Sequence, residues 1–272
     1  NFCVVSKSHF KIYVSGPLWV HPSTSCARIE MMFDISTTTS DPREVEKFNR
    51  LAAAWRDPNG QMWPLHRLNQ LRAPFVSEAI KSHFNTRSLE GISILDIGCG
   101  AGLLSEPLAK QGGVVTGIDA ARHNISIARR HARSAEVDIN YIHGAVEDLN
   151  AYQNFDIVLN MEVIEDVVNL PAFMARTCRL TRSGGLMFLA TINRTWFSWL
   201  TTNIGAEYLL GWLPRGTHDW RRYVKPEDAE ASLDKGGLGV KEKTGVGVNP
   251  FTRSLFLTRN MAANYMMVAS KT

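Results

Sequence analysis

The sequence predicts an α/β fold, a mostly parallel sheet with helices on both faces. Three observations carry this expectation. From about residue 93 onward, short and nearly continuous apolar runs alternate with helical ones, the pattern of parallel strands buried on both sides. One of those runs ends in a glycine-rich turn that opens a helix, Gly98-Cys99-Gly100-Ala101-Gly102, and this is where an open α/β sheet holds its ligand. The 272 residues are 44% apolar and 21% charged, ordinary globular usage in a chain long enough to bury one sizeable core.

Residues 1–40 stand outside that expectation. Up to Ile29 they contain Lys7, Lys11 and Arg28 but no acid, and the chain opens on Asn1. Two readings stay open: a targeting presequence, which is basic, Ser-rich and acid-poor, or upstream sequence joined to a chain that starts at Met31 or Met32. The remainder, residues 41–272, reads as one domain.

Its first part, residues 41–87, reads as a helical lid. Asp41 is placed to cap a helix with Pro42 at its first position, and Val45, Phe48, Leu51 and Ala52 fall on one stripe. Pro58 and Gly60 interrupt the pattern, and a second amphipathic run extends from about Leu71 to Phe84. Residues 88–193 form the core. Its strands read as Ser93–Ile97, VVTGID, INYIHG, FDIVLNM and LMFLATI, with helices from Leu103, through Ile127 and Ala128, and after Pro171. Residues 226–272 complete the sheet.

The glycine spacing is G-x-G-x-G, and the third glycine of a dinucleotide fingerprint would fall at Leu103. This argues against NAD or FAD and for a nucleoside ligand without a pyrophosphate. Asp119 ends the second strand, where a carboxylate can accept both hydroxyls of a ribose. Asp96, beneath the loop, is placed to orient a ligand ammonium group. Gly98, Gly100 and Gly102 with Asp96 and Asp119 thus favour S-adenosylmethionine.

Beyond the fourth strand lies an acidic cluster. If the segment turns helical, Glu162, Glu165 and Asp166 share a face. Three carboxylates repel unless protons or a cation relieve them, and such oxygen ligands suit Mg2+ or another hard divalent ion. Such a metal would lower the pKa of a bound hydroxyl; alternatively, Glu162 or Glu165 acts as a general base through water. His218 is a further proton acceptor by chemistry.

Residues 194–225 exceed what the core fold needs and concentrate Trp196, Trp199, Trp212 and Trp220 among basic residues. Apolar residues with Trp and basic flanks suit a segment lying in a lipid headgroup layer. The net charge of +4 does not suggest a broad nucleic-acid surface. Four scattered cysteines form no C-x-x-C pair, and no apolar stretch is long enough to span a bilayer.

With these features the chain resembles the class I S-adenosylmethionine-dependent methyltransferases. Within them it is similar to the ubiquinone-biosynthesis O-methyltransferases, through WPLHRLNQLR (63–72), LDIGCGAGLLSEPLA (95–109), MEVIED (161–166), GLMFLATINRTWFSW (185–199), GAEYLLGWLPRGTHDW (205–220) and NYMMVASK (264–271). The resemblance implies a Rossmann-like, seven-stranded sheet and methylation of catechol-type hydroxyls on polyprenylated ubiquinone precursors, at both O-methylation steps. It also implies that Arg72, Gly98, Asp119 and Met161 contact S-adenosylmethionine, and a guanidinium at Arg72 can pair with the ligand's carboxylate bidentately. The family pattern Glu-x-x-Glu-His, proposed to hold a divalent metal, departs here to Asp166. As partners the resemblance implies a polyprenylated catechol, a ubiquinone-biosynthesis complex and a peripheral contact with the inner membrane, on the matrix side if mitochondrial and the cytoplasmic side if bacterial. Two alternatives remain: a methyltransferase of another small molecule, and a catalytically weak module that binds S-adenosylmethionine and lipid.

Overall fold

In the computed structural model, the structure describes residues 39–52, 55–60, 62–150, 152–199, 220–249, 252 and 254–272. They lie within the unit Thr37–Thr272. The strands are β1 (Ser93–Ile97), β2 (Val114–Asp119), β3 (Ile139–His143), β4 (Phe155–Met161), β5 (Thr181–Ile192), β6 (Leu238–Val248), β7 (Leu255–Thr258) and β8 (Asn264–Lys271). The helices are α1 (Pro42–Leu51), α2 (Trp63–Phe84), α3 (Ser105–Ala109), α4 (Arg122–Ser134), α5 (Leu170–Leu180), α6 (Trp196–Trp199) and α7 (Pro226–Lys235).

Among the described residues the sheet has eight strands in the order β3-β2-β1-β4-β5-β8-β6-β7. The first five are parallel, while β8 runs antiparallel to both β5 and β6. The seven-stranded expectation is therefore corrected by one: the four-residue β7 pairs antiparallel with β6 and adds an outer edge. Strand order reverses between β1 and β4, which opens a crevice at their carboxyl ends. Register aligns those ends, with Ile97 opposite both Ile118 and Asn160.

Side chains alternate across each strand, so the sheet has two apolar faces. Leu95, Ile97 and Val158 pack with Phe173 and Met174 of α5 and Leu233 of α7. Ile94, Ile157 and Leu159 pack with Val76 and Ile80 of α2 and Leu108 of α3. Asp96 follows the parity of Ile94 and so faces α2 and α3. This one alternation places a carboxylate, not a hydrocarbon, at the top of the second core.

The Asp41 side chain accepts from Arg43 N at 2.9 Å and caps α1 as the sequence predicts. Helix α2 begins at Trp63, eight residues ahead of the expected Leu71, because Pro64 is tolerated in a first turn whose amides lack partners anyway. No helix among the described residues is long and apolar enough to cross a membrane.

Candidate active site

A cavity of about 410 Å³ opens at the carboxyl ends of β1, β2 and β4 beneath α1 and α2, within the size range of small-molecule pockets. Its floor is the glycine loop. Gly98, Gly100 and Gly102 have φ of +66°, +55° and +80°, a left-handed region in which side chains are strained. At Gly98 a Cβ would also stand 2.5 Å from Val163 Cγ2. The loop is held by Asp119, whose Oδ2 accepts from Gly100 N at 2.9 Å and whose Oδ1 accepts from Ala121 N at 2.7 Å. The sequence reads Asp119 as a ribose acceptor; the structure shows that it also pins the loop. Asn124 Nδ2 adds a longer contact to Oδ1 at 3.4 Å, so of the about four acceptor positions of an ionised carboxylate at least one remains for a hydroxyl donor.

Asp96 is buried and accepts from Ser105 Oγ at 2.6 Å. Burial raises its pKa from 3.8 to about 7; the Ser105 hydroxyl opposes this and the Asp119 charge adds to it. Asp119 is raised as well, by burial, against the donors at Ala121 and Gly100. Both acids line the cavity, as do Gly98 and Met161.

The acidic cluster is placed differently from the sequence expectation. Residues 162–168 are not helical: a turn spans 164–166, with bends on either side and a bridge at Val167, and Glu162 sits at φ +60°. Arg72, buried on α2, forms a salt bridge with Glu162, and its Nε has no hydrogen-bond partner. Arg72 thus lines the cavity with its guanidinium already engaged by a protein carboxylate. Glu165 Oε2 accepts from Thr191 Oγ1 of β5 at 2.7 Å. Burial, then the charges of Glu162 and Asp166, push the Glu165 pKa well up. Asp166 rises from 3.8 to about 7, through burial first and then Glu44 of α1, with Lys47 and Arg222 opposing.

All three acids line one cavity. They are nevertheless not gathered as the sequence expects of ligands to Mg2+ or another divalent ion: no group of three or more His, Cys, Asp and Glu side chains among the described residues is placed to hold a metal. Glu162 is drawn to Arg72 and Glu165 to Thr191, so the residues as arranged do not fit a metal. His218 lies outside the described residues.

The sequence reading missed the clamp on the lid. Arg222, in a short 3-10 turn at Trp220–Arg222, donates from Nη2 to Asp41 Oδ2 at 2.6 Å and lies 3.8 Å from Glu44. That contact holds the Asp41 carboxyl below the usual carboxylate range. Ser40 also bridges to Val167, beside the acids. Asp41 carried only a capping signal in the sequence, and an ion pair between residues this far apart leaves no local pattern.

Residues 95–189 match the family described as "Methyltransferase domain". A ubiquinone biosynthesis O-methyltransferase of Brucella anthropi is 45% identical over 246 residues, covering 88% of this chain and 99% of that protein. One from Maricaulis maris is 46% identical over 236 residues, covering 85% and 93%. The chain belongs to the ubiquinone biosynthesis O-methyltransferase family. Among solved structures, magnesium protoporphyrin IX methyltransferase from Synechocystis PCC 6803 with bound S-adenosylhomocysteine superposes with a TM-score of 0.61 at 19% identity, covering 84% of this chain and 95% of that one. This likeness shows the class I methyltransferase fold.

Proposed function

We propose that the chain transfers the methyl group of S-adenosylmethionine to catechol-type hydroxyls of polyprenylated ubiquinone precursors, at both O-methylation steps. The observation that carries this reading is the single cavity in which the glycine loop, Asp119 and an acidic turn meet under a helical lid. The ribose hydroxyls donate to Asp119. Gly98 allows the donor to approach the backbone, Asp96 faces its ammonium group and Met161 packs against it. Arg72 takes the donor's carboxylate by exchanging partners with Glu162.

The transfer is an in-line displacement: the ring oxygen forms a bond to the methyl carbon as the carbon–sulfur bond breaks, and S-adenosylhomocysteine leaves. Holding the two reactants in line under α1 supplies much of the acceleration. The hydroxyl proton passes to the carboxylates of the acidic turn. Of these, Asp166, raised to about 7, is matched to accept a proton near neutrality. Glu162, Glu165 and, by chemistry, His218 complete the set of acceptors, and no step runs through a metal.

Residues 194–225 present this site to a lipid surface, from which a polyprenyl tail enters. Trp196 and Trp220 are 70% and 39% exposed at the two ends of the segment, and amphipathic rings favour the headgroup layer. Residues 200–219 lie outside the described residues.

An S-adenosylhomocysteine release assay with a short-tailed catechol analogue tests the reading. Catechol-dependent release supports it. Release only with unrelated acceptors would favour another small molecule, and donor binding without release would favour a binding module.

A further inference from the structure

The stretch between α1 and α2 reads in the sequence as a plain interruption. In the structure it carries Trp55 and Arg56 onto the glycine loop. A Cβ on Gly100 would lie 2.7 Å from the Trp55 ring, so the ring rests directly on the loop, and only a residue without a side chain leaves it that seat. Arg56 locks the contact: its Nε and Nη2 donate to the Ala101 carbonyl at 3.1 Å and 2.7 Å, and its guanidinium also pairs with Glu106 of α3. The Trp55 carbonyl lies 2.8 Å from Nε2 of His66, in the PLHR run of α2. Because a carbonyl can only accept, that ring nitrogen carries the proton.

Three anchors thus fix one indole. Its own Nε1 is buried and has no hydrogen-bond partner among the described residues, while Trp55 lines the same cavity as Asp96, Gly98 and Asp119. Buried donors without partners are uncommon and call for an explanation. A tryptophan kept only for packing would be expected to bury its N–H against a protein acceptor; here the neighbouring acceptors serve Arg56 and His66 instead. We infer that Trp55 is a donor-binding residue: its ring walls the S-adenosylmethionine pocket from the lid side, and its indole N–H donates to an oxygen of the bound donor. His66 is the positioning residue that holds it there. The inference rests on the proposal that this cavity takes S-adenosylmethionine.

The test is calorimetric binding of S-adenosylhomocysteine to the full chain and to Trp55→Phe, Trp55→Ala, His66→Ala and His66→Gln, with thermal melts confirming that each folds. Trp55→Phe keeps a ring and loses the donor, and should weaken binding about 3- to 10-fold, the worth of one hydrogen bond. Trp55→Ala should lose about 30-fold or more. His66→Ala should weaken binding about 5-fold, and His66→Gln, which can still donate to the Trp55 carbonyl, should restore it. In turnover assays the Trp55 variants should raise KM for the methyl donor while kcat changes little. Wild-type binding with Trp55→Phe within twofold of it overturns this inference alone. Wild-type protein that binds no S-adenosylhomocysteine overturns the cofactor reading, and this inference with it.

Discussion

Asp96→Asn should make the protein more stable at neutral pH, and the gain should depend on pH in a defined way. Burial of the wild-type carboxyl raises its pKa from 3.8 to about 7. The folded state therefore keeps a proton that the unfolded chain releases, so stability falls as pH rises from about 4 toward 7 and levels off outside that window. The resulting loss of stability is on the order of 1 to 2 kcal/mol at pH 5 and 4 kcal/mol at pH 8. Asparagine occupies nearly the same volume, can still accept from Ser105, and does not titrate. The stability gap between variant and wild type should therefore widen by about 2 to 3 kcal/mol from pH 5 to pH 8, or on the order of 5 to 10 °C in Tm for a domain of this size. Thermal melts of both proteins at four or five pH values read this directly. Raised acids that do not interact with Asp96 titrate in both proteins and cancel in the difference, and the Asp119 charge is already part of the raised Asp96 value. A gap that stays constant across the series, or a variant less stable than wild type at pH 8, would refute the assignment of Asp96 as a buried, destabilised carboxylate.

Gly100→Ala puts a side chain at φ +55° and against the Trp55 ring; it should cost about 2 to 4 kcal/mol in urea melts and weaken S-adenosylhomocysteine binding. Asp41→Ala removes both the α1 cap and the Arg222 partner and should cost about 1 to 2 kcal/mol, whereas Asp41→Asn keeps the cap and should cost less. Arg72→Met strands Glu162 and Glu162→Gln strands Arg72, so the double variant should be less destabilised than the two singles added together, by about 1 to 3 kcal/mol in a urea-melt cycle.

The strands of the core were legible because each is largely buried on both faces and reads as a nearly continuous apolar run. Ser93–Ile97, Val114–Asp119 and Phe155–Met161 appear where the sequence predicts them. Strand β7 was not legible: Leu255–Thr258 is half-exposed and too short to show a period. The acidic segment misled because three acids at helical spacing look helical on paper. In the chain, Glu162 takes a left-handed φ that a helix cannot contain, and the next helix waits for the Asn169 side chain to cap it at Ala172 N, 3.1 Å away. Glycine loop and Asp119 could be read because their roles follow from local position at strand ends. Trp55, Arg56 and Arg222 could not, since each acts on residues at least 45 positions away and carries no motif of its own.

The cavity's electrostatics also bear on which ligand it prefers. Asp96, Asp119, Glu165 and Asp166 all line it, and all have raised pKa values with burial as the first cause. The one buried guanidinium among them, Arg72, pairs with Glu162. Arg72 and Lys47 are outnumbered by the acids that line the cavity, so the site favours a ligand that brings positive charge. S-adenosylmethionine carries a sulfonium that S-adenosylhomocysteine lacks, so the substrate should ionise these acids on binding and the product should do so less. By linkage, a ligand that favours the ionised form binds more tightly as pH rises through the free-protein pKa, here about 7 for Asp96 and Asp166. Calorimetry at pH 6 and pH 8 should show the preference for S-adenosylmethionine over S-adenosylhomocysteine growing by about tenfold, within the hundredfold limit of one linked proton over two pH units. If instead the ratio of the two affinities is flat across that range, the acids are not answering to the sulfonium charge. A ratio that grows with pH couples proton uptake to product release through the same groups: the departing methyl group takes the positive charge with it, the acids regain their protons, and the cavity's hold on the spent cofactor weakens.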